Sequence, residues 1–454
     1  MVNYFLSLPF TLFLSNGTDI HALPPASSDL LSFGYTHTLA NMFSLILVQT
    51  FYLFLSLSPT ILSAPVAGPT EAVLAFNTLQ TWYNSTSGLW STTGWWNSAN
   101  CLTTIADLAA VDSSILGAAK DIFSNTFVQA QKTNLQMLKV ITPTYNIEST
   151  YGDDFPSLKN FSTVEAAAAP PPSHPQGFVN SFYDDEGWWA LGWIQAYDVT
   201  KDPAYLSAAV DIFNDMAHGN TTPCGSTSIW WDRNHTYVNA IANELHLSVA
   251  SHLANRIPNN KTYIDTANLQ WDWFQRSGMI NKNNTINDGL DKQCKNNNGT
   301  VWSYNQGVIL GALVELSNAT NDKSLLQVAS TIATSAIKAL SDKNDVLHDP
   351  CEPSCGADGS QFKGIFIRNL QILQKAAPND AYKRFIGANA ASIWSYDRDT
   401  RPGPKTNGLG LIWSGPVGRG GSVNASTQSS GLDALVAAQA VGVLPSEGST
   451  ALAN

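Results

Sequence analysis

The stretch Tyr183-Asp184-Asp185-Glu186-Gly187-Trp188-Trp189 sets three consecutive acids against two tryptophans. Cleavage of a glycosidic bond uses one carboxyl, ionised, to attack or to steady an oxocarbenium-like centre, and a second, protonated, to donate to the leaving oxygen. Apolar rings beside such a pair offer a stacking surface for a sugar and an environment that raises a carboxyl pKa. Asp184 and Asp185 are the candidate pair. Ser181-Phe182-Tyr183-Asp184 also matches a Ser-x-x-Asp capping signature, which accounts for one acid but not for Asp185 and Glu186. The helix expected to follow carries Trp188, Trp189, Leu191, Trp193, Ile194 and Tyr197 and is apolar nearly all round. Such a helix is buried, and acids at its amino end face whatever cavity that end opens on. The helix dipole is expected to lower the pKa of the carboxylate aligned with it, and that negative charge to raise its neighbour's.

Other residues are candidates for holding a sugar. Trp188 and Trp189 could stack on sugar rings, although a buried helix partner is an equal alternative for one of them. Trp231, Asp232 and Arg233 fit a sugar-binding loop, with a surface ion pair as the alternative for the two charges. Asp288, in Asn287-Asp288-Gly289-Leu290, competes with plain turn formation. Lys363, beside Gly364, competes with a solvated charge. Among the histidines, His246 and His252 lie six apart, which does not place them on one helix face, so no metal is expected, and the chemistry calls for no cofactor.

The elements that carry these residues read as mostly α. Four stretches share a polar turn with Asp or Asn, then an aromatic or Leu, then an apolar helix face: Asp202-Pro203-Ala204-Tyr205, Asn260-Lys261-Thr262-Tyr263, Asp322-Lys323-Ser324-Leu325 and Asp380-Ala381-Tyr382. Positions 205, 263, 325 and 382 are 58, 62 and 57 residues apart, about the length of two helices with their connections. Dividing residues 65–454 by that period gives between six and seven units. Six helical hairpins closed in a ring form an all-α (α/α)6 barrel with inner helices lining a funnel; an open solenoid is the alternative, because periodicity alone does not show closure. The run Ala166 to Pro175, with Pro170-Pro171-Pro172, reads as a linker entering the acidic helix.

Charged residues are 13% of the 454 and the formal net charge is −11, with no basic stripe, which argues against a nucleic-acid partner. From Met42 to Ala64 an apolar run closed by small residues resembles a secretory signal, placed oddly far from Met1. Residues 1–64 are read as an N-terminal extension and signal peptide with Met42 as the probable true start, and 65–454 as the catalytic domain. A membrane anchor is the alternative for that run; a secreted protein, extracellular or in the cell wall, without a stable anchor is the expectation. Past residue 70, nine Asn-x-Ser/Thr sequons, among them Asn84, Asn220, Asn260 and Asn424, fit a glycoprotein. Five cysteines without zinc spacing fit two disulfides and a spare thiol, with Cys351–Cys355 and Cys224–Cys294 as candidate pairs.

The stretch from Tyr183 to Leu206 resembles glycoside hydrolase family 76, the endo-α-1,6-mannanases of bacteria and fungi. The resemblance extends over roughly residues 70 to 440, through Trp95-Trp96-Asn97-Ser98-Ala99-Asn100, Trp230-Trp231-Asp232-Arg233, Ala240-Ile241-Ala242-Asn243-Glu244, Asn287-Asp288-Gly289-Leu290, Trp302-Ser303-Tyr304-Asn305-Gln306-Gly307 and Gln361-Phe362-Lys363-Gly364-Ile365. It implies an (α/α)6 barrel and a retaining mechanism in which Asp184 is the nucleophile and Asp185 the acid/base. It implies α-1,6-linked mannan as substrate, with transfer to a sugar acceptor, or a non-catalytic mannan-binding wall protein, as alternatives.

Overall fold

Each of the four repeated stretches begins a helix that buries one face and exposes the other. In the computed structural model, which describes residues 69–133, 137–142, 145, 147–151, 165–167 and 177–443, these are four of twelve main helices. They are α1 (Glu71–Leu79), α2 (Trp95–Val111), α3 (Leu116–Thr133), α4 (Tyr183–Thr200), α5 (Pro203–Met216), α6 (Ala240–Arg256), α7 (Lys261–Arg276), α8 (Ser303–Thr320), α9 (Ser324–Leu340), α10 (Phe362–Ala376), α11 (Asp380–Tyr396) and α12 (Ala425–Ala440). All described residues fall within the unit Gly68–Asn454. The expected leader, Met42 and the boundary at residue 64 lie outside them.

Helices α5, α7 and α11 start on side-chain caps. Asp202 accepts from the Ala204 N–H at 3.0 Å, Asn260 from Thr262 at 3.1 Å and Asn379 from Ala381 at 2.9 Å, which satisfies amides that lack an intrahelical partner. The cap of α11 is thus Asn379, one residue before the expected Asp380. Tyr205, Tyr263, Leu325 and Tyr382 are all buried, so the repeated aromatic or Leu anchors each outer helix to the layer beneath.

The even-numbered helices form that layer. α2 packs on α4, α4 on α6, α6 on α8, α8 on α10, α10 on α12, and α12 returns to α2. The ring therefore closes, as an (α/α)6 barrel requires and an open solenoid does not. The sixth hairpin is discontinuous in sequence, since α12 packs on α1. Closure is reinforced by buried amides. Asn97 of α2 donates to Gln361 at 2.9 Å, and Gln361 donates to Ser429 of α12 at 2.7 Å. Buried polar groups satisfied in this way avoid the desolvation cost of being left unpaired.

Two glycines allow the inner helices to approach. A Cβ on Gly307 of α8 would lie 2.6 Å from Phe366 Cα of α10, and one on Gly364 of α10 would lie 2.6 Å from Ser430 Cα of α12. Amides near the amino ends of inner helices also grip loop backbone at both N–H and C=O. Asn243 does so at Ile229 and Gln306 at Ile286, with distances of 2.8–3.0 Å.

A small antiparallel sheet was not expected. Met137–Ile141 is its central strand, between Ile147–Tyr151 and Glu165–Ala167. The stretch expected to be a linker from Ala166 thus begins in a strand; residues 168–176 lie outside those described. Cys224–Cys294 and Cys351–Cys355 are both bonded, and Cys101 is a buried free thiol. No helix among the described residues is long and apolar enough to cross a membrane.

Candidate active site

The amino end of α4 is held by backbone pairing. Tyr183 N–H donates to Trp231 O at 2.9 Å, Arg233 N–H to Ser181 O at 3.1 Å, and Phe182 bridges Asp232. Phe182 is the N-cap residue and no side chain caps the helix there. The expected capping role of Ser181 is therefore not realised. Instead Asn180 accepts from the Phe182 N–H at 2.8 Å and donates to Asp185 Oδ2 at 2.7 Å. Asp184, Asp185 and Glu186 all lie in the first turn. Successive residues diverge by about 100° on a helix, so each acid meets different surroundings.

Asp184 lines an aromatic-walled cavity, while Asp185 is wholly buried behind it. Both face the ammonium of Lys139, which lies 2.5 Å from Asp185 Oδ1 and 3.5 Å from Asp184 Oδ2. The strand explains how a lysine gets there. Period-two alternation puts Lys139 and Ile141 on one face, and Ile141 with Ile147 packs against the cluster Phe182, Trp231 and Tyr237. The Lys139 ammonium lies 4.5 Å from the Phe182 ring centre and 5.7 Å from that of Trp231.

Burial pushes the Asp184 carboxyl above the usual carboxylate range, against the pull of Lys139. Burial likewise pushes Asp185 up to about 7, with Lys139 opposing and Asp184 adding to the rise. The expectation that the helix end would lower one of the two is overturned: desolvation outweighs it at both positions. For Lys139, burial disfavours the charge, but Asp184 and Asp185 outweigh it and the group is held protonated.

The cavity has a volume of about 430 Å³ and opens at the amino ends of α2, α4, α8 and α10, which supply Trp96, Trp188, Tyr304 and Phe362 to its wall. Trp188 stacks on Trp96 with ring centres 5.5 Å apart, and Tyr304 on Phe362 at 3.8 Å. Asp358, in the one-turn helix after the Cys351–Cys355 bridge, accepts from the Trp96 indole at 2.8 Å. Asp288 completes the acidic lining. It accepts from the Tyr237 hydroxyl at 2.7 Å, and burial pushes its carboxyl up to about 7 against that bond.

Among the expected sugar-holding residues, Trp188 and Asp288 line the cavity and five do not. Trp189 is turned into the core against Trp95, Phe178 and Trp193. Trp231 is fully buried beside Phe182 and under Lys139. Asp232 is buried and accepts from the Thr236 N–H at 2.8 Å, shaping its own turn. Arg233 pairs with Glu186 at 2.5 Å and with Asp215, and donates to Asn180 O at 2.6 Å, so it clamps the acidic turn from behind. Lys363 is buried against Glu352, donates to Leu411 O at 2.7 Å and faces the Trp413 ring. It lies off the cavity wall and is not a solvated charge. Trp96, Trp302, Tyr304 and Phe362 lay inside motifs already noted, whereas nothing near Lys139 in sequence marks it. Among the described residues, no group of three or more His, Cys, Asp or Glu is arranged to hold a metal ion.

Comparison with known proteins bears on this geometry. Mannan endo-1,6-alpha-mannosidase DFG5 of Saccharomyces cerevisiae is 28% identical over 213 residues, 43% of this chain and 46% of that protein. Mannan endo-1,6-alpha-mannosidase DCW1 of Candida albicans is 29% identical over 215 residues, 43% and 47% of the two chains. The chain spans about half the length of the curated relatives it matches. The solved α-1,6-mannanase GH76A of Salegentibacter sp. HEL1_6 has the same fold, with a TM-score of 0.62 at 19% identity over 82% of this chain and 98% of that one. A variant of that enzyme with two consecutive aspartates replaced by asparagine, described as inactive, was solved with α-1,6-mannotriose, at a TM-score of 0.61 and 19% identity over 82% of this chain and 98% of that one. A family model described as Glycosyl hydrolase family 76 matches residues 70–446, and the chain belongs to that family.

Proposed function

We propose that the protein is a secreted, retaining endo-α-1,6-mannosidase that hydrolyses the α-1,6-linked backbone of fungal or yeast cell-wall mannan. The observation that carries this reading is the Asp184–Asp185 pair at an aromatic cavity. Asp184 presents a carboxylate to the cavity and is the nucleophile. Asp185 keeps its proton to about pH 7 and is the acid/base. The two oxygens that share the Lys139 ammonium lie within the sum of their distances to it, about 6 Å. Retaining enzymes hold the two carboxyls roughly 5–5.5 Å apart, and one ammonium touching both keeps this pair close. Trp188, stacked on Trp96, offers a ring edge to a mannose, and Asp288 offers oxygens to its hydroxyls. The names of the yeast relatives and the mannotriose-bound structure support mannan as the polymer.

A second assignment of the acid has an observation in its favour. Asp185 is 0% exposed, whereas Asp288 lines the cavity and also holds its proton to about 7. In that version Asp288 protonates the leaving oxygen and Asp185 only sets the charge on Asp184.

The test is purified protein with unbranched α-1,6-mannan, following reducing ends and product length. Steady release of shorter chains supports hydrolysis, and products longer than the substrate would indicate transfer to a sugar. Failure to cleave with intact folding would reject the activity.

A further inference from the structure

Two adjacent buried carboxylates repel each other and lose solvation, so left to themselves they hold a proton rather than both ionise. The side chains around them worsen this balance. Asp358 and Asp288 line the same cavity, Asp232 lies beside Asp184 on the 231–237 loop, and the Tyr237 and Tyr304 hydroxyls carry no positive charge. Arg233 is engaged by Glu186 and Asp215 on the far side of the turn. Among the described residues lining the cavity, Lys139 alone is cationic.

We infer that Lys139 is a positioning residue that supplies a positive charge balancing the aspartate pair, so that Asp184 is ionised while Asp185 keeps one proton. The inference rests on the proposed retaining mechanism for its meaning, but its charge argument rests on geometry alone. The ammonium contacts both carboxylates, at 2.5 and 3.5 Å, and is itself buried. Asn180 occupies the other oxygen of Asp185, which leaves Lys139 to hold the side of the pair shared with Asp184. The three-stranded sheet is then part of the active site, since it carries the charge on which the pair depends.

Removing the charge should raise the pKa of the pair further in the folded protein. A carboxyl whose folded pKa lies above its unfolded value favours folding below the unfolded pKa, and that contribution is lost as pH rises through the folded pKa. The full chain carrying Lys139→Met is therefore expected to lose thermal stability relative to wild type most at pH 8, with the deficit shrinking toward pH 4. Lys139→Arg should restore most of it. The double variant Lys139→Met with Asp184→Asn, which removes one negative charge as well, should be more stable at pH 8 than Lys139→Met alone. On α-1,6-linked mannan oligosaccharides, the acid limb of kcat/KM should move up by about one pH unit or more in Lys139→Met, a loss of about tenfold or more below that limb. A stability deficit independent of pH, or no rescue by Asp184→Asn, would make Lys139 merely structural. Higher activity of Lys139→Met at every pH would make it an obstruction over the pair; either result overturns the inference. If wild type cleaves no α-1,6-mannan, the proposed function fails, while the stability comparison still decides the role of Lys139. If Lys139→Met fails to fold, the double variant and Lys139→Arg must recover folding, and their failure to do so also overturns it.

Discussion

The Tyr237 hydroxyl donates to Asp288 at 2.7 Å, while Asn297 donates to the same hydroxyl at 2.7 Å. Asp288 is thus fixed at the cavity wall by a loop that also pairs with the start of α4. If it binds sugar hydroxyls, Asp288→Asn raises KM with kcat changed by less than about tenfold, whereas Asp185→Asn lowers kcat by about a thousandfold or more. The check is steady-state kinetics on a natural oligosaccharide and on an activated aryl mannoside, which needs no acid. The variant whose activity recovers on the aryl substrate identifies the acid.

Stability should fall as pH rises through the neutral range. Burial pushes Asp349 up to about 6, Asp185 and Asp288 to about 7 and Asp397 to about 8. Each favours folding fully below the unfolded carboxyl pKa near 4, and loses that contribution as pH climbs through its folded value. The hydrogen-bonded acids Asp112 and Asp399, and Glu315 beside Arg256 and His252, are held below their ordinary values and act in the opposite sense as pH falls below about 4. Thermal melts are expected to give a higher midpoint at pH 5 than at pH 8.

Gly364 is set by helix approach. Because an added Cβ would meet Ser430 Cα at 2.6 Å, Gly364→Ala must spread α10 from α12. A loss of about 1–3 kcal/mol is expected, of the size found for overpacked cores, measurable by denaturant unfolding. Substitution at Gly117, where nothing lies within 4 Å, serves as the control.

Arg233 is expected to matter through folding. Among the described residues, Arg233→Met leaves Glu186 Oε1 the Asn180 N–H alone, at 3.2 Å, and should cost about 1–3 kcal/mol. KM for mannan should change little in the folded fraction. A large KM change without loss of stability would return Arg233 to the sugar-binding surface.

What the sequence disclosed follows from periodicity and from local pattern. Tyr205, Tyr263, Leu325 and Tyr382 marked the outer helices because those helices have a wet face and a dry face, and three of them start on an Asp or Asn cap. The inner helices gave a weaker signal: α4, α6 and α8 are buried on nearly all sides and lack a polar stripe. The acid pair was legible because three acids beside tryptophans have no ordinary structural use. Trp188 and Trp189 could not be told apart, since adjacent helical positions differ only in direction. Asp232, Arg233 and Lys363 read as sugar-binding candidates with exposed charge as the alternative, because charges are usually solvated, yet Arg233 and Lys363 found partners from distant segments and Asp232 is buried in its own turn. Lys139 was invisible for the same reason. Its strand neighbours are apolar, and its partners lie 45 and 46 residues away.

The most direct test is the configuration of the first product. Early-time proton NMR of wild type acting on an unbranched α-1,6-mannan oligosaccharide should show the new reducing end first as the α anomer, with the β anomer growing in by mutarotation, and Asp184→Asn should release none. A β anomer at the outset, or undiminished cleavage by folded Asp184→Asn, would contradict a nucleophilic Asp184 partnered by Asp185.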